Sequence, residues 1–289
     1  MTWNEIVPGV FSRQYPQDDI TVTAVRGTRG LLLVDTGSSP FEAARIDADL
    51  KELGQVRWVV NTHAHYDHTF GNQHFTAGSN SGVQIYGHHL LAAHLDEYER
   101  PRLAAWRAGD SSEPPRDWND VIITPPTHGI TERSRLDLGD RTVDLIPLDR
   151  GHTDGDLVIR VPASSESSGD AWIVGDVMEE PGPPMYGSGC FPMRWPQSLA
   201  ALLGEIGERD VIVPGHGRHV SRAFGMSQLA VLESTAALIR RHYRVGHDVD
   251  QALAVPDEWA YPVAALRLAV QRGYQELEDE GGLEVWRQR

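Results

Sequence analysis

The residues best suited to chemistry are three histidines and one aspartate within six positions: His63, His65, Asp67 and His68. They follow Val56–Val60, an apolar run that predicts a buried strand ending where a loop begins. Side chains two residues apart in extended backbone point the same way, so His63 and His65 would face one position, with Asp67 and His68 turned to a second nearby. Imidazole and carboxylate groups suit zinc and similar divalent metals. Four donors in this order favour a metal site over a His-rich surface turn.

Three later segments supply further donors, and each follows a run that predicts a β-strand. The donors are His152 after residues 142–148, Asp176 after residues 171–174 and His216 after residues 211–213. Glycines flank all three, which lets the backbone approach a metal closely. A closed set of ligands needs such partners from elsewhere in the chain.

A predicted strand–helix–strand unit precedes and positions the first ligands. Residues 31–34 predict a buried strand that leads to Asp35. Ser39 then predicts a helix N-cap, with Glu42 completing a capping box, and Gly54 is expected to end the helix. This unit places the ligands at the carboxyl end of a strand, where α/β proteins commonly build sites.

Taken together and in order, these motifs resemble those of the metallo-β-lactamase superfamily. They are Val34-Asp35-Thr36-Gly37, His63-Ala64-His65-Tyr66-Asp67-His68, His152, Asp176 and His216. The resemblance runs from about residue 20 to residue 220. It implies an α/β fold, a four-layer αββα sandwich formed by residues 1–222, with residues 223–289 as a helical C-terminal extension packed on it.

The resemblance also implies a role for each motif residue. One metal would be held by His63, His65 and His152, a second by Asp67, His68 and His216, and Asp176 would bridge the two. Asp35 would stand behind the ligands and orient one of them, or its loop, by accepting a hydrogen bond. Asp67 would also act in catalysis by holding or accepting a proton. We expect two divalent ions, zinc first, with iron or manganese as alternatives.

The bridging Asp176 makes the chain more similar to the glyoxalase II, lactonase and phosphodiesterase branches than to true class B β-lactamases. We therefore expect a dinuclear zinc metallohydrolase whose metal-bridging hydroxide hydrolyses a small ester, thioester, lactone or amide, β-lactams included. Residues that match the glutathione-binding part of glyoxalase II are not found. The alternative is an iron-dependent oxidoreductase of the persulfide dioxygenase type, and a scaffold with a degenerate site is a third hypothesis.

Composition narrows the partners. The formal net charge of −15 argues against a nucleic-acid surface, which relies on clustered Lys and Arg. No apolar run approaches the ~20 residues that span a bilayer, and the N-terminus has no pattern of a secretory signal. Cys190 is the only cysteine, so an intramolecular disulfide is excluded. We expect a cytoplasmic protein with a small-molecule substrate and no nucleic-acid or membrane partner.

The sequence leaves the roles of several segments open. Residues 101–130 are expected to be irregular and to form either a lid, which we favour, or a packed surface segment. Residues 179–196 either shape the pocket or fill the core with their aromatics, so the substrate-binding residues are unknown. A surface or capping role is expected for the remaining candidate histidines: His74, His88, His89 and His94. Residues 164–169 predict a solvated loop. The helical tail would pack on the core, cover the site or form a homo-oligomer interface.

Overall fold

The computed structural model describes residues 3–80, 82–163 and 169–287. Within these residues, seven strands form the sheet that supports one side of the site. The strands are Asn4–Val7 (β1), Val10–Tyr15 (β2), Ile20–Gly27 (β3), Gly30–Val34 (β4), Val56–Val60 (β5), Gln84–His88 (β6) and His128–Ile130 (β7). They lie in sequence order. β1 to β4 are antiparallel, whereas β4 to β7 are parallel, so the carboxyl ends of β4 and β5 meet at one edge.

A second sheet of five strands, counted over the same described residues, faces the first. Its strands are Ser134–Asp137 (β8), Thr142–Pro147 (β9), Leu157–Val161 (β10), Ala171–Gly175 (β11) and Val211–Pro214 (β12). The order is β12-β11-β10-β9-β8, and β11 and β12 form the parallel pair. Their carboxyl ends therefore also lie side by side.

Helices cover the outer faces of both sheets. They are Pro40–Asp49 (α1), Tyr66–Thr69 (α2), Leu91–His94 (α3), Arg100–Ala108 (α4), Trp195–Glu205 (α5), Arg222–Arg244 (α6), Val249–Leu253 (α7) and Val263–Arg287 (α8). A π-helical turn, Leu95–Glu99, joins α3 to α4, and 3-10 turns span Asn72–Thr76, Gly78–Asn80 and Pro256–Glu258. Of the helices seen in the described residues, none has the length and apolar character needed to cross a membrane.

Three apolar layers hold these elements together. Leu32 and Val60 of the first sheet pack against Leu145 and Ile159 of the second. Ile46 of α1 packs on the outer face of the first sheet, and the outer face of the second contacts α5, α6 and α8. Burying a Leu or Ile side chain fully contributes about 1.5–3 kcal/mol, so each layer is strongly stabilising. The αββα sandwich predicted from the sequence is confirmed.

The C-terminal helices share the core of the second sheet. Leu232 and Ile239 of α6 and Leu266 and Val270 of α8 lie in one buried cluster with Trp172 of β11. Because α6 begins at Arg222, it follows the last strand of the sandwich almost directly. The division into residues 1–222 and 223–289 stays a prediction.

The start of α1 matches the sequence closely but differs in one hydrogen bond. The Ser39 hydroxyl accepts the Glu42 N–H at 3.1 Å, as an N-cap should. The Glu42 carboxylate accepts the N–H of Ser38 at 2.8 Å, one residue earlier than a capping box requires. The predicted end at Gly54 was wrong, because α1 ends at Asp49 and a turn fills the interval.

Residues 101–130 are less irregular than predicted. Pro101 lies in the first turn of α4, directly after the π-helical turn, and β7 closes the stretch. Between them, Trp118 is fully buried and its indole N–H donates to the Ser38 carbonyl at 2.9 Å. The segment is therefore anchored to the body of the protein. Residues 164–168, where a solvated loop was predicted, lie outside the described residues.

Replacing Ser39 with Ala should lower the free energy of unfolding by about 1 kcal/mol, because the first turn of α1 loses its side-chain acceptor. Ser39→Gly should cost only a few tenths of a kcal/mol, since glycine is itself a favourable N-cap residue. Urea unfolding measures both. Equal stability of Ser39→Ala and the wild type would contradict this role.

Candidate metal centre

Every predicted donor lies at a strand end on the same edge of the sandwich. Asp35 follows β4, His63 to His68 follow β5, Asp176 follows β11 and His216 follows β12, while His152 lies in the loop between β9 and β10. Backbone hydrogen bonds join the two sheets here. The Thr21 N–H donates to the Gly215 carbonyl at 2.7 Å, and the Leu157 N–H donates to the Thr62 carbonyl at 2.7 Å.

The first group of donors consists of His63, His65, His152 and Asp176, all buried. Nδ1 of His65 lies 3.1 Å from Nε2 of His63 and 3.1 Å from Nε2 of His152. Asp176 Oδ2 lies 3.7 Å from the same two Nε2 atoms. Two nitrogens bound to a tetrahedral zinc at about 2.1 Å are about 3.4 Å apart. The spacing of this group therefore suits one cation.

The second group consists of Asp67, His68 and His216. His216 Nε2 lies 3.3 Å from Asp67 Oδ2 and 3.3 Å from Asp176 Oδ2, and His68 Nε2 lies 3.3 Å from Asp176 Oδ1. Asp176 thus faces both groups. Its Oδ1 and the Nε2 of His68 are buried without a hydrogen-bond partner. Buried polar atoms are rarely left unpaired, so these orphans fit a cation-binding role.

The rings are oriented by hydrogen bonds on the side away from the donors. His68 Nδ1 lies 2.8 Å from Asp35 Oδ2, and the Asp35 carboxylate also accepts the Thr62 N–H and hydroxyl, each at 2.8 Å. His65 Nε2 lies 3.1 Å from the Ser188 carbonyl. An N–H donated on one side leaves a lone pair on the other, so Asp35 selects Nε2 of His68 as the free atom and Ser188 selects Nδ1 of His65.

The two groups differ in their charge. Burial, then the neighbouring His68, holds the pKa of His63 well below its usual value, and burial lowers the pKa of His152 to about 4, so both present neutral lone pairs. Burial alone would raise the pKa of Asp67, but His68 and His216 lower it to about 2. Against burial, Asp176 and Asp67 raise the pKa of His216 to about 12. Without a cation, protons on the second group balance its carboxylates.

The prediction that His94 lies on the surface was wrong. His94 is buried, its Nδ1 lies 2.9 Å from Asp154 Oδ1, and its ring packs edge-on against His65 with centroids 5.7 Å apart. With His65 and the buried Glu99 it forms a further group of donor atoms within 4.8 Å of one another. The helical spacing from Leu91 was a signal in the sequence, because it places His94 on the buried face.

The three other histidines for which a surface or capping role was expected differ in their burial. His88 is buried, so the expected surface role was wrong, and although its Nδ1 accepts the Leu90 N–H at 3.2 Å, no side chain caps α3. His74 is half-buried and pairs with Asp47 at 3.0 Å. His89 is exposed, which confirms the expected surface role, and its Nδ1 lies 3.3 Å from the Ile130 carbonyl. None of these three shares a donor group with the ligand motif in the described structure.

A cavity of about 640 Å³ opens above the donors. Its floor includes His65, Asp67, Asp176 and His216, and its walls comprise residues 181–188 on one side and Tyr66, Arg102 and Glu113 on another. Residues 179–196 were expected either to shape the pocket or to fill the core, and different parts of the segment do each. The first half lines the cavity, whereas Cys190, Met193 and Trp195 fill the core. Arg102 and Glu113 show that part of residues 101–130 is cavity wall.

Solved structures share this architecture. The inverting sec-alkylsulfatase Pisa1 from Pseudomonas sp. superposes with a TM-score of 0.73 and 17% identity, covering 95% of this chain and 50% of its own. A metallo-β-lactamase from Pontibacter korlensis gives 0.59 and 17%, covering 80% and 98%. The lactamase FIM-1 from Pseudomonas aeruginosa, in its mono-zinc form, gives 0.57 and 20%, covering 80% and 94%. At these identities the likeness shows the fold alone.

This chain spans about half the length of the alkylsulfatase. No curated protein matches the sequence. The family model described as metallo-beta-lactamase superfamily matches residues 15–216. That match covers well over half of the chain and every donor segment of the site, from Asp35 to His216. The chain therefore belongs to the metallo-β-lactamase superfamily.

Proposed function

We propose that this protein is a hydrolase that binds two divalent cations, zinc by preference, and cleaves a small ester, thioester, lactone or amide. One cation would be held by His63, His65 and His152, the second by Asp67, His68 and His216, with Asp176 serving both. The observation that carries the proposal is the presence of two buried donor groups that share Asp176 at the floor of one cavity.

Cations held there supply Lewis acidity and lower the pKa of water toward neutrality. The chain's own residues do the rest. Asp67 lines the cavity floor, so its carboxylate is placed to hold or accept a proton of the attacking water. The apolar segment 181–186 shields one side of the floor from bulk water, which strengthens electrostatic interactions inside.

The charges of the cavity favour a carbonyl substrate without a negative group. Arg102 is the one Arg or Lys among the described residues that line it. Its Nε lies 3.0 Å from Glu99, Nη1 lies 2.5 Å from Glu113, and Nη2 donates to the Ser188 hydroxyl at 3.0 Å. Its positive charge is therefore already balanced, and the chain as a whole is strongly acidic.

A sulfate ester is the second candidate, because the alkylsulfatase covers the C-terminal helices as well as the sandwich. A sulfate group is best recognised by free guanidinium or ammonium donors. The pairing of Arg102 argues against this candidate. A single-iron oxidoreductase is the remaining alternative, but it would leave the complete group of Asp67, His68 and His216 without a role.

Removal of metal should abolish hydrolysis while the sandwich stays folded. Purified protein should contain close to two divalent ions per chain by elemental analysis. After dialysis against a chelator, turnover of a panel of esters, thioesters and lactones should fall by at least about 1000-fold, because water at its free pKa of about 15.7 is a poor nucleophile. Readdition of zinc should restore it. Full turnover in metal-free protein would refute the proposal, and one iron per chain with oxygen uptake would support the oxidoreductase.

The charge of the cavity predicts a preference among substrates. A neutral phenyl ester should be cleaved with a higher kcat/KM than phenyl sulfate, by at least about tenfold, which corresponds to about 1.4 kcal/mol. The leaving group is the same in both substrates, so the comparison measures the preference for a carbonyl ester over a sulfate ester. A higher kcat/KM for phenyl sulfate would favour the second candidate.

Gly215 provides a test of the shared position of Asp176. A Cβ atom at residue 215 would lie 1.9 Å from Asp176 Oδ1 and 3.0 Å from Cε1 of His68, so Gly215→Ala must displace the carboxylate. Displacement of a metal-binding group by the surrounding residues typically costs 10- to 100-fold in affinity, on the order of 1.4–2.7 kcal/mol. Gly204→Ala is the control, because nothing lies within 4 Å of its Cβ position. Chelator competition and circular dichroism measure affinity and fold. Unchanged affinity would remove Asp176 from the shared position.

A further inference from the structure

The Ser188 carbonyl orients the ring of His65. Nδ1 of His65 faces His63 and His152, so the ring must carry its proton on Nε2 to offer a lone pair to a cation. The acceptor for that proton is the Ser188 carbonyl at 3.1 Å. A backbone carbonyl in a loop performs this task only if the loop itself is held in place.

Two contacts hold the loop around Ser188. The Arg102 Nη2 donates to the Ser188 hydroxyl at 3.0 Å, and that hydroxyl lies 3.5 Å from Glu99 Oε1. The adjacent Gly189 presses against His94, since a Cβ there would lie 2.3 Å from His94 Cε1. The loop is thus held between the side chains of Arg102 and Glu99 on one side and the buried ring of His94 on the other.

Arg102 is itself held by two carboxyl groups, one of them buried. Its Nε lies 3.0 Å from Oε2 of Glu99, which is 0% exposed, and its Nη1 lies 2.5 Å from Glu113. The guanidinium also lies over the ring of Tyr66, 5.4 Å from the centroid. Because Tyr66 stands between His65 and Asp67 in the chain, Arg102 contacts the donor motif as well as the loop that orients it.

We propose that Arg102 is a positioning residue of the metal centre. By binding Ser188 and Glu99 together, it holds the Ser188 carbonyl against His65 and keeps Nδ1 of His65 free for the first cation. Arg102 lines the cavity too, so the same side chain connects the cavity wall to the donors. The effect on cation binding rests on the proposed function, whereas the effect on the His65 ring does not.

The primary experiment uses metal-free protein labelled with ¹⁵N-histidine, in which NMR reports the protonated nitrogen of each ring. In the wild type, His65 should carry its proton on Nε2. In Arg102→Met a measurable fraction should carry it on Nδ1, because the Ser188 carbonyl is no longer held. The control is Arg100→Met, which makes the same change in the same helix and removes an exposed pair with Asp96. It should behave as the wild type does.

A second measurement follows release of zinc to a chelator. Arg102→Met should release one of two cations about 10-fold faster and leave the other unchanged, because only the first group contains His65. Arg102→Lys should lie between the two proteins, since one ammonium group cannot contact Glu99, Glu113 and Ser188 as the guanidinium fork does. Ser188→Ala removes only the hydroxyl and should shift both readouts in the same direction, so it tests the idea if Arg102→Met does not fold.

Three outcomes separate the explanations. If Arg102→Met and Ser188→Ala leave the His65 proton and both release rates unchanged, the positioning role is overturned. If the wild type binds a third cation that Glu99→Gln loses, then His65, His94 and Glu99 form a metal site of their own and the role assigned to Glu99 is overturned. If the wild type binds no cation, the proposed function fails, while the NMR measurement still decides the role of Arg102.

Discussion

The Asp35 carboxylate is the interaction on which the rest of the site depends. It accepts three hydrogen bonds of 2.8 Å, from the N–H and hydroxyl of Thr62 and from Nδ1 of His68. These bonds tie the end of β4 to the segment that follows β5. Asp35 makes them from a backbone φ of 64°, a conformation that few non-glycine residues adopt and that aspartate tolerates comparatively well. Neither glutamate, which is one bond longer, nor asparagine, which has one oxygen, could accept all three bonds, because the carboxylate must reach Thr62 and His68 at once.

The site concentrates polar atoms where the surrounding fold is apolar. Seven donor side chains lie within the described sandwich at 9% exposure or less, directly beside the core between the sheets. Burial of charge is costly unless it is paired, so opposite charges on Asp67, Asp176, His68 and His216 stabilise one another in the metal-free protein. A cation replaces the protons in that balance. Cation binding and the stability of this edge of the sandwich are therefore coupled.

Patterns in the sequence predicted some parts of the site and its surroundings and missed others. The αββα layers, the Ser39 cap and the convergence of His63 with His152, Asp176 and His216 followed from motifs of short range or from their order along the chain. His94, Glu99 and Arg102 were missed as part of the site. Arg102 and Glu99 contact Ser188 and His94 lies against Gly189, both more than 80 positions away, and no spacing in the sequence encodes those contacts. The loop after Asp176 was left undecided for the same reason.

The sequence by itself determined the donor set, because residue type and order decide which atoms can bind a cation. The order of the donor motifs along the chain also carried the family resemblance from which the layer architecture was predicted. Only the tertiary structure decided which ring nitrogen faces inward, which protons balance the carboxylates and which walls form the cavity. Those properties depend on distances of about 3 Å between atoms far apart in the chain, and such distances are set by packing.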